Sequence, residues 1–442
     1  MKSAPKEVDT LIEARWVVPV EPARRVLEHH AVAIAGGRIE AIVPIADARG
    51  QYRAAQVVEL PQHVLIPGLI NLHCHAAMTL MRGLADDLPL MDWLKQHVWP
   101  AEMKHVSEAF VYDGTQLACA EMLRGGTTCF NDMYFFPRDA ARAALASGMR
   151  CAVGLIVVEF PTPYAADAQD YLSKGLALRD ELKNETLLHF CFAPHAPYTV
   201  SDDSLRKIAT YAGLLDLPVQ IHLHETLDEI EQSMQGHRMR PLQRIRDAGL
   251  LGPGLIAVHA IHLDHGEIDL LAKHGCHVAH CPSSNLKLAS GIAPVAAMLG
   301  AGVNVGLGTD GAASNNRLDM FAEMRLAALL AKGASGNATA VPAWQALEMA
   351  PINSARALAL DDRIGSLRPG KLADLAAVKL SGIELAPCYE PLSHLVYAAG
   401  REHVSDVWVN GRQLVDNGEL TGLNGEELLA RVNFWRDRIQ TS

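Results

Sequence analysis

The 442-residue sequence predicts an α/β fold, a (β/α)8 barrel joined to a small β domain built from both chain ends. Two observations support this fold class. Short apolar or β-branched runs alternate with helix-like segments through the middle of the chain, which favours a parallel sheet. Eight such runs fall within residues 64–309, close to the ~250 residues of a typical (β/α)8 barrel.

The two chain ends differ from the middle because each carries a β-hairpin pattern with a glycine-containing turn. Two antiparallel pieces at opposite ends of a chain can pair into one domain. We therefore predict a small discontinuous β-sandwich domain from residues 1–63 and 366–442, and a barrel from residues 64–365. The hairpin patterns are residues 32–35 and 39–43 around Gly36-Gly37, and residues 407–409 and 413–415 around Asn410-Gly411.

The barrel elements follow in order along the middle of the chain. The predicted strands are residues 64–72, 127–133, 151–160, 187–194, 219–224, 255–262, 277–282 and 303–309. The predicted helices, rich in Ala and Leu, are residues 107–123, 201–215, 227–247 and 265–274. A doubly wound open sheet is the structural alternative, but Gly306-Leu307-Gly308 is not a complete dinucleotide-binding fingerprint and lends it little support.

Composition excludes several classes of protein. With 39 Lys and Arg against 50 Asp and Glu, the net charge is −11, which disfavours binding to a nucleic-acid backbone. Hydrophobic residues make up 49% of the chain, a globular composition, and no apolar run reaches the ~18 residues of a membrane span. Eight scattered cysteines and an N-terminus without an apolar signal core predict a cytoplasmic protein with reduced thiols.

The chain contains 20 histidines, and several of them stand where predicted strands end. In a barrel, functional residues lie at the carboxyl ends of the strands. Buried imidazole or carboxylate groups there are costly unless they are paired or bind a metal. His73 and His75 share one face of a strand, as do His222 and His224, by strand alternation. The polar residues at strand ends are His73, His75, His195, His222, His224, Glu225, His259 and Asp310.

Three histidines and one aspartate suit a divalent ion with an open coordination position, and nitrogen and oxygen ligands without thiolate fit Zn, Fe or Mn. Glu225 could act beside the ion as a general acid or base, or could simply begin a helix. Of His222 and His224, one could be a ligand and the other a core residue. His259, considered alone, could be a buried core histidine.

The segments that contain these residues resemble those of the amidohydrolase superfamily and, within it, the 5′-methylthioadenosine/S-adenosylhomocysteine deaminase family. The resemblance extends over about residues 8–420. It rests on segments 67–75 (PGLINLHCH), 91–94 (MDWL), 193–198 (APHAPY), 222–225 (HLHE), 281–288 (CPSSNLKL), 308–311 (GTDG) and 364–374 (IGSLRPGKLAD).

The resemblance implies a metal-dependent hydrolase barrel of the TIM type that deaminates the adenine moiety of 5′-methylthioadenosine, and of adenosine or S-adenosylhomocysteine. The implied cofactor is one divalent metal per subunit, Zn²⁺ with Fe²⁺ as the alternative. No lysine ends the fourth strand, which favours one metal over two. The implied residues are His73, His75, His222 and Asp310 for the metal, Glu225, His259 and Asp310 for catalysis, and Trp93, Glu102, His195 and Glu225 for substrate.

Other functions are compatible with the same barrel. Dechlorination or deamination of a triazine and deamination of guanine are alternatives, but a carboxylate for ribose hydroxyls, as implied for Glu102, has no purpose with a base that lacks sugar. A non-catalytic scaffold is a remote alternative because every ligand position is filled. The implied partners are a small nucleoside and further copies of the chain, as a dimer or larger. A homocysteine tail would need a cationic partner, for which Arg82, Arg138, Arg142 and Arg150 are candidates.

Overall fold

The computed structural model describes residues 4–441, which contain a parallel barrel and an adjoining β-sheet. Met1, Lys2, Ser3 and Ser442, which belong to the predicted small domain, lie outside the described residues. The strands, in chain order, are β1 (Lys6–Val17), β2 (Leu27–Ala35), β3 (Arg38–Pro44), β4 (Tyr52–Pro67), β5 (Leu69–Cys74), β6 (Thr127–Asp132), β7 (Arg150–Val157), β8 (Leu188–Pro194), β9 (Val219–Leu223), β10 (Leu255–His259), β11 (His277–His280), β12 (Asn304–Leu307), β13 (Leu375–Lys379), β14 (Val404–Val409), β15 (Arg412–Asp416) and β16 (Glu419–Leu420).

Helices connect the strands and cover the barrel. The α-helices are α1 (Ile45–Gln51), α2 (Leu90–Trp93), α3 (Trp99–His105), α4 (Glu108–Arg124), α5 (Pro137–Ser147), α6 (Ala168–Leu182), α7 (Asp202–Leu215), α8 (Leu227–His237), α9 (Pro241–Asp247), α10 (His265–Lys273), α11 (Pro282–Lys287), α12 (Val295–Gly300), α13 (Ala312–Asn315), α14 (Met320–Ser335), α15 (Ala343–Glu348), α16 (Ser354–Ala357), α17 (Pro391–Tyr397) and α18 (Gly425–Gln440). Short 3-10 and π-helical turns are at Ala76–Met81, Leu94–Val98, Met349–Asn353, Ile383–Leu385 and Arg401–His403.

Strands β5 to β12 form the predicted barrel, each parallel to and paired with its neighbours in sequence order. Hydrogen bonds at the ends of β12 and β5, next to the predicted metal ligands, join the last barrel strand to the first. The Asp310 amide donates to the His73 carbonyl over 3.0 Å, and the Asn71 side chain bonds both the amide and the hydroxyl of Thr309. A Cβ at Gly308 would lie 2.9 Å from the His73 nitrogen, so only glycine permits this approach.

The first predicted strand, residues 64–72, is wrong as a single element. Its first part belongs to β4 of the small sheet, and the barrel strand β5 begins only at Leu69. Gly68 separates the two strands, and a Cβ there would lie 2.1 Å from the Thr128 hydroxyl oxygen. The apolar run is continuous because both parts are buried. The other seven barrel strands are confirmed, within three residues at either end.

The predicted helix over residues 227–247 is also two elements, α8 and α9. Arg238 ends α8 with a left-handed φ of 57°, and Pro241 begins α9, so the backbone turns between them. The remaining three predicted helices are confirmed as α4, α7 and α10, with ends within one residue.

Both chain ends contribute to the second sheet, as predicted. Its strands run in the order β16-β15-β14-β13-β4-β1-β2-β3, and both predicted hairpins, β2–β3 and β14–β15, are present. One apolar cluster contains Ile12, Leu65 and Trp408, so strands from the two ends of the chain share a core. The domain boundaries at residues 63/64 and 365/366 stay a prediction.

The C-terminal helix α18 packs on the barrel rather than on the second sheet. Its Trp435 indole donates to Asp113 of α4 over 2.8 Å, and Arg431 pairs with the same carboxylate over 2.7 Å. Among the described helices, none is long and apolar enough to cross a membrane. All eight cysteines are free thiols.

Candidate metal centre and substrate cavity

The four predicted metal ligands come together at the carboxyl ends of three strands. His73 lies near the end of β5, His75 follows that strand, His222 lies in β9 and Asp310 follows β12. Their ligand atoms all lie within 4.8 Å of one another. The Nε2 atoms of His73 and His222 are 3.1 Å apart, and His75 Nε2 is 3.1 Å from an Asp310 oxygen.

Hydrogen bonds on the far side of each ring decide which nitrogen faces this cluster. The Nδ1 atoms of His75 and His222 lie 2.6 and 2.7 Å from the backbone carbonyls of Met133 and His195. His73 Nδ1 lies 3.0 Å from the Gln220 side-chain oxygen. Because these oxygens can only accept, each Nδ1 carries the hydrogen and each Nε2 presents a lone pair.

Three Nε2 lone pairs and a carboxylate oxygen therefore converge on one point. Two lone pairs 3.1 Å apart, as in His73 and His222, repel each other unless a cation lies between them. Three nitrogens and one oxygen without thiolate match the ligands of a catalytic divalent ion. The residues thus fit the metal that the sequence implies.

Asp310 is held with one oxygen toward the histidines and the other toward two serines. Its Oδ2 accepts hydrogen bonds from the Ser284 and Ser314 hydroxyls over 2.6 and 2.7 Å. Burial alone would raise its pKa, but hydrogen bonds from the protonated forms of His73 and His75 hold the pKa well below its ordinary value. A metal ion would take the place of these protons. The carboxylate is therefore ionised and oriented before any ligand binds.

Three residues at strand ends have left-handed backbone conformations that non-glycine residues rarely adopt. The φ angles are 55° at His224, 68° at His259 and 59° at Asp310. Such conformations cost of order 1–3 kcal/mol each and cluster at functional sites. At His224 the turn ends the strand alternation, so its ring leaves the face of His222. His224 Nε2 instead accepts from the Leu242 amide over 3.1 Å, and His222 is the residue that joins the cluster.

Glu225 and His259 lie beside the ligand cluster. His259 Nε2 is 3.9 Å from a Glu225 oxygen, and its Nδ1 is 2.8 Å from the Asn285 side-chain oxygen. Burial, with a further contribution from Asp310, raises the pKa of Glu225 to about 8. At neutral pH this carboxyl can therefore carry a proton. The two backbone amides of His224 and Glu225 donate to the two oxygens of Glu229, over 3.0 and 2.8 Å.

A cavity of about 370 Å³ opens above the cluster, and the predicted substrate residues Trp93, Glu102 and His195 all line it. Glu102 accepts a hydrogen bond from the Tyr134 hydroxyl over 2.8 Å, and burial raises its pKa to about 7. Burial lowers the pKa of His195 to about 3, so its ring is neutral. Most other lining residues are apolar, as is usual for sites that bind small organic molecules.

Sequence patterns missed several residues of the site. Gln220 stands two residues before His222 on the same face of β9, and Tyr134 follows β6 at the barrel mouth, so position could have indicated both. Ser284, Ser314 and Glu229 gave no such signal. They reach Asp310 or the backbone at Glu225 only through contacts that the folded chain creates.

Fold and site together define a class of protein, a metal-dependent hydrolase built on a (β/α)8 barrel. The Amidohydrolase family model matches residues 64–414. The 5-methylthioadenosine/S-adenosylhomocysteine deaminase of Saccharophagus degradans is 48% identical over 98% of this chain and 97% of its own length. The chain belongs to the amidohydrolase family and, within it, to the deaminases of this group, which hydrolyse C–N bonds.

Solved structures agree with this placement. A crystal structure of an adenosine deaminase from Xanthomonas campestris with bound zinc is 48% identical, with a TM-score of 0.98 over 99% of this chain and all of that chain. An atrazine chlorohydrolase from Arthrobacter aurescens, also complexed with zinc, is 24% identical with a TM-score of 0.89 over 97% of this chain and 100% of that chain. The second likeness shows the shared fold alone.

Proposed function

We propose that this protein hydrolyses the amino group of the adenine moiety of 5′-methylthioadenosine, with adenosine and S-adenosylhomocysteine as further substrates, which releases ammonia and leaves a nucleoside whose base is hypoxanthine. The observation that carries this proposal is the position of Glu225, a buried carboxyl beside the ligand cluster in a cavity of about 370 Å³ that Glu102 and His195 also line. The name of the 48% identical Saccharophagus relative supports the same substrates.

His73, His75, His222 and Asp310 would hold one zinc ion, in agreement with the zinc in the Xanthomonas structure. Such an ion makes water nucleophilic near neutral pH. Iron(II) is the alternative that the same ligands accept. Metal analysis of protein purified without added metal distinguishes zinc from iron. The proposal would be contradicted if the protein held much less than one metal ion per chain and if removal of that metal by a chelator left the activity unchanged.

The residues around the cluster would then move protons and hold the substrate. His259 Nε2 or the Asp310 carboxylate would accept the proton that the attacking water loses and pass it to the amino group, which leaves as ammonia. Glu225 would donate its proton to the adenine ring nitrogen beside the reacting carbon and regain one from the new hydroxyl as the carbonyl forms. Trp93 and neutral His195 contact the base. Because Tyr134 bonds only Glu102 Oε1, the second oxygen of Glu102 can accept hydrogen bonds from ribose hydroxyls.

A substrate panel tests the proposal. Ammonia release and the change in purine absorbance are measured with adenosine, 5′-methylthioadenosine, S-adenosylhomocysteine, guanine and a chlorotriazine. We expect turnover with the adenine nucleosides only. Preference for guanine or the triazine would contradict the proposed function and the ribose role of Glu102, and complete inactivity of metal-loaded protein would favour the scaffold alternative.

The cellular setting is proposed on sequence grounds. We propose a cytoplasmic protein that acts on a small nucleoside and assembles as a homo-oligomer, a dimer or larger. Light scattering on the purified protein tests the assembly, and a mass equal to one chain across micromolar concentrations would contradict it.

A further inference from the structure

We infer that the entrance of the cavity selects adenine nucleosides with an uncharged 5′ substituent and discriminates against the amino-acid tail of S-adenosylhomocysteine. This inference rests on the proposed function and narrows its substrate. It follows from the position of two exposed apolar side chains, Met103 and Phe160, and from the kind of ionisable side chain that lines the cavity.

The cavity has a polar floor and an apolar entrance. The ligand cluster and Glu225 form the floor, where the reacting carbon must lie. Glu102, which would hold the ribose, is followed directly by Met103 in α3. Met103 and Phe160 line the same cavity and are 58% and 44% exposed, so they stand where it meets solvent. A nucleoside with its base at the floor and its ribose at Glu102 directs its 5′ end toward these two side chains.

Among the described residues that line this cavity, none is a lysine or an arginine. The ionisable residues that line the cavity are histidines near the floor, two tyrosines, and the carboxyls of Glu102, Glu225 and Asp310. A homocysteine carboxylate would therefore leave water without meeting a positive charge, and an unpaired charge at a partly desolvated site is unfavourable.

The four arginines that were candidates for this contact are bound elsewhere. Arg82 pairs with Glu121, Arg138 with Glu181, and Arg142 with Asp139. Arg150 is buried and donates two hydrogen bonds, of 2.9 and 3.2 Å, to the carboxylate of Asp374, the residue before β13. None of these four side chains lines the cavity.

An apolar thioether, in contrast, suits the entrance. Its methyl group would contact the Met103 and Phe160 side chains, and the removal of this apolar surface from water favours binding. Because both side chains are partly exposed, a longer uncharged chain can lie along them at the edge of the cavity. The inference therefore concerns the charge of the 5′ substituent and not its length.

Three substrates separate charge from length. We compare kcat/KM for 5′-methylthioadenosine, 5′-butylthioadenosine, which has a tail of similar length to homocysteine without charge, and S-adenosylhomocysteine. We expect the two thioethers to agree within about tenfold and S-adenosylhomocysteine to be slower than the butyl compound by about tenfold or more. Equal rates for the butyl compound and S-adenosylhomocysteine, or a preference for the latter, would overturn the inference.

The same panel distinguishes failure of the inference from failure of the proposed function. If 5′-methylthioadenosine and adenosine are both inert, the proposed function is wrong and the inference falls with it. If they react and S-adenosylhomocysteine reacts as well as the butyl compound, the proposed function stands and only the inference is wrong.

Variants at the entrance give a second test. Phe160→Arg should raise the ratio of S-adenosylhomocysteine to butylthioadenosine kcat/KM by about fivefold or more, and this gain should shrink at high salt. Phe160→Leu, which keeps an apolar side chain without adding charge, is the matched control and should change the ratio far less than Phe160→Arg does. Met103→Arg repeats the test at the second exposed side chain of the entrance. Unchanged ratios in both arginine variants would contradict the placement of the 5′ end.

Discussion

The imidazole of His73 depends on Gln220 for its orientation. The Gln220 amide nitrogen donates to the Asp132 carbonyl over 2.7 Å, which directs its oxygen to His73 Nδ1. Partners of this kind hold a metal-binding histidine in one tautomer, and their loss typically weakens metal affinity by 10–100-fold. The sequence analysis predicted His73 as a ligand and did not predict a role for Gln220, although both residues lie on strands that lead into the site.

Replacing Gln220 with methionine keeps the side-chain length and removes the oxygen that His73 needs. We expect Gln220→Met to weaken metal binding by about 10–100-fold while the folded protein persists. Competition with a chelator measures the affinity. Affinity equal to that of the unaltered protein would show that Gln220 does not orient His73.

Glu225 is the residue whose chemistry the site alters most clearly. Because its pKa is raised to about 8, the carboxyl can donate a proton at neutral pH. Glu225→Gln keeps the size and removes the transferable proton. We expect normal metal content and turnover reduced by about 100-fold or more. Glu231→Gln, at an exposed carboxylate on α8, is the matched control, and near-normal turnover in the Glu225 variant would refute its proposed role.

At the scale of elements, short loops after the strands carry the site and buried side chains hold these loops. Helix α8 is an example, because its Glu229 accepts both the His224 and Glu225 amides with its two oxygens. This contact determines how the backbone turns at the left-handed His224 and thereby where Glu225 points. Helix α8 thus also positions the side chain that we propose to be catalytic.

Glu229→Gln tests this positioning role. A glutamine places an NH2 group against one of the two backbone amides, so one donor loses its acceptor. We expect kcat to fall by about tenfold or more with metal content and KM nearly unchanged, because an unsatisfied buried donor costs about 1–3 kcal/mol and displaces the loop. The conservative Glu229→Asp variant keeps the carboxylate on a shorter side chain, so its kcat should lie between that of Glu229→Gln and that of the unaltered protein. An unchanged kcat would show that α8 does not position Glu225.

Across the whole molecule, several buried histidines stay neutral in the folded protein. His189 on β8, which is partly buried, is a further neutral histidine and lies outside the site. Burial, with the charges of Arg150 and Arg363, lowers its pKa from the ordinary 6.5 to about 3. Between these two pH values the unfolded chain binds a proton that the folded chain does not. Stability therefore rises with pH in this range, is lost as the pH falls, and is unaffected by His189 above about pH 6.5.

His189→Gln should make the stability of the protein less sensitive to acid. We expect the difference in the free energy of unfolding between pH 7 and pH 5 to shrink, by at most about 1.4 kcal/mol per pH unit. Urea denaturation of metal-free protein at both pH values measures it, so that metal release does not contribute. His274→Gln, at an exposed position, is the control. An unchanged difference would show that the folded protein protonates His189 as readily as the unfolded chain.

Local pattern was sufficient to predict much of this architecture. Strands that are buried on both faces of a parallel barrel have short apolar sequences. Seven of the eight strands predicted from such sequences matched the structure closely. The same pattern could not separate β4 from β5, because both are buried and only the close approach of Gly68 to Thr128 marks the change of sheet. The packing of helix α18 against α4, where Asp113 accepts a hydrogen bond from its tryptophan, likewise had no local signal.

The sequence by itself determined the barrel and the pairing of the two chain ends, because both follow from short-range patterns. It also determined the set of histidines and acids at strand ends, because these polar groups interrupt apolar runs. The tertiary structure decided between His222 and His224, supplied Gln220, Glu229, Ser284 and Ser314 as partners, and left the cavity entrance without a cation among its described residues. These outcomes depend on left-handed turns and on contacts between residues far apart in sequence, and such contacts exist only once the barrel has formed.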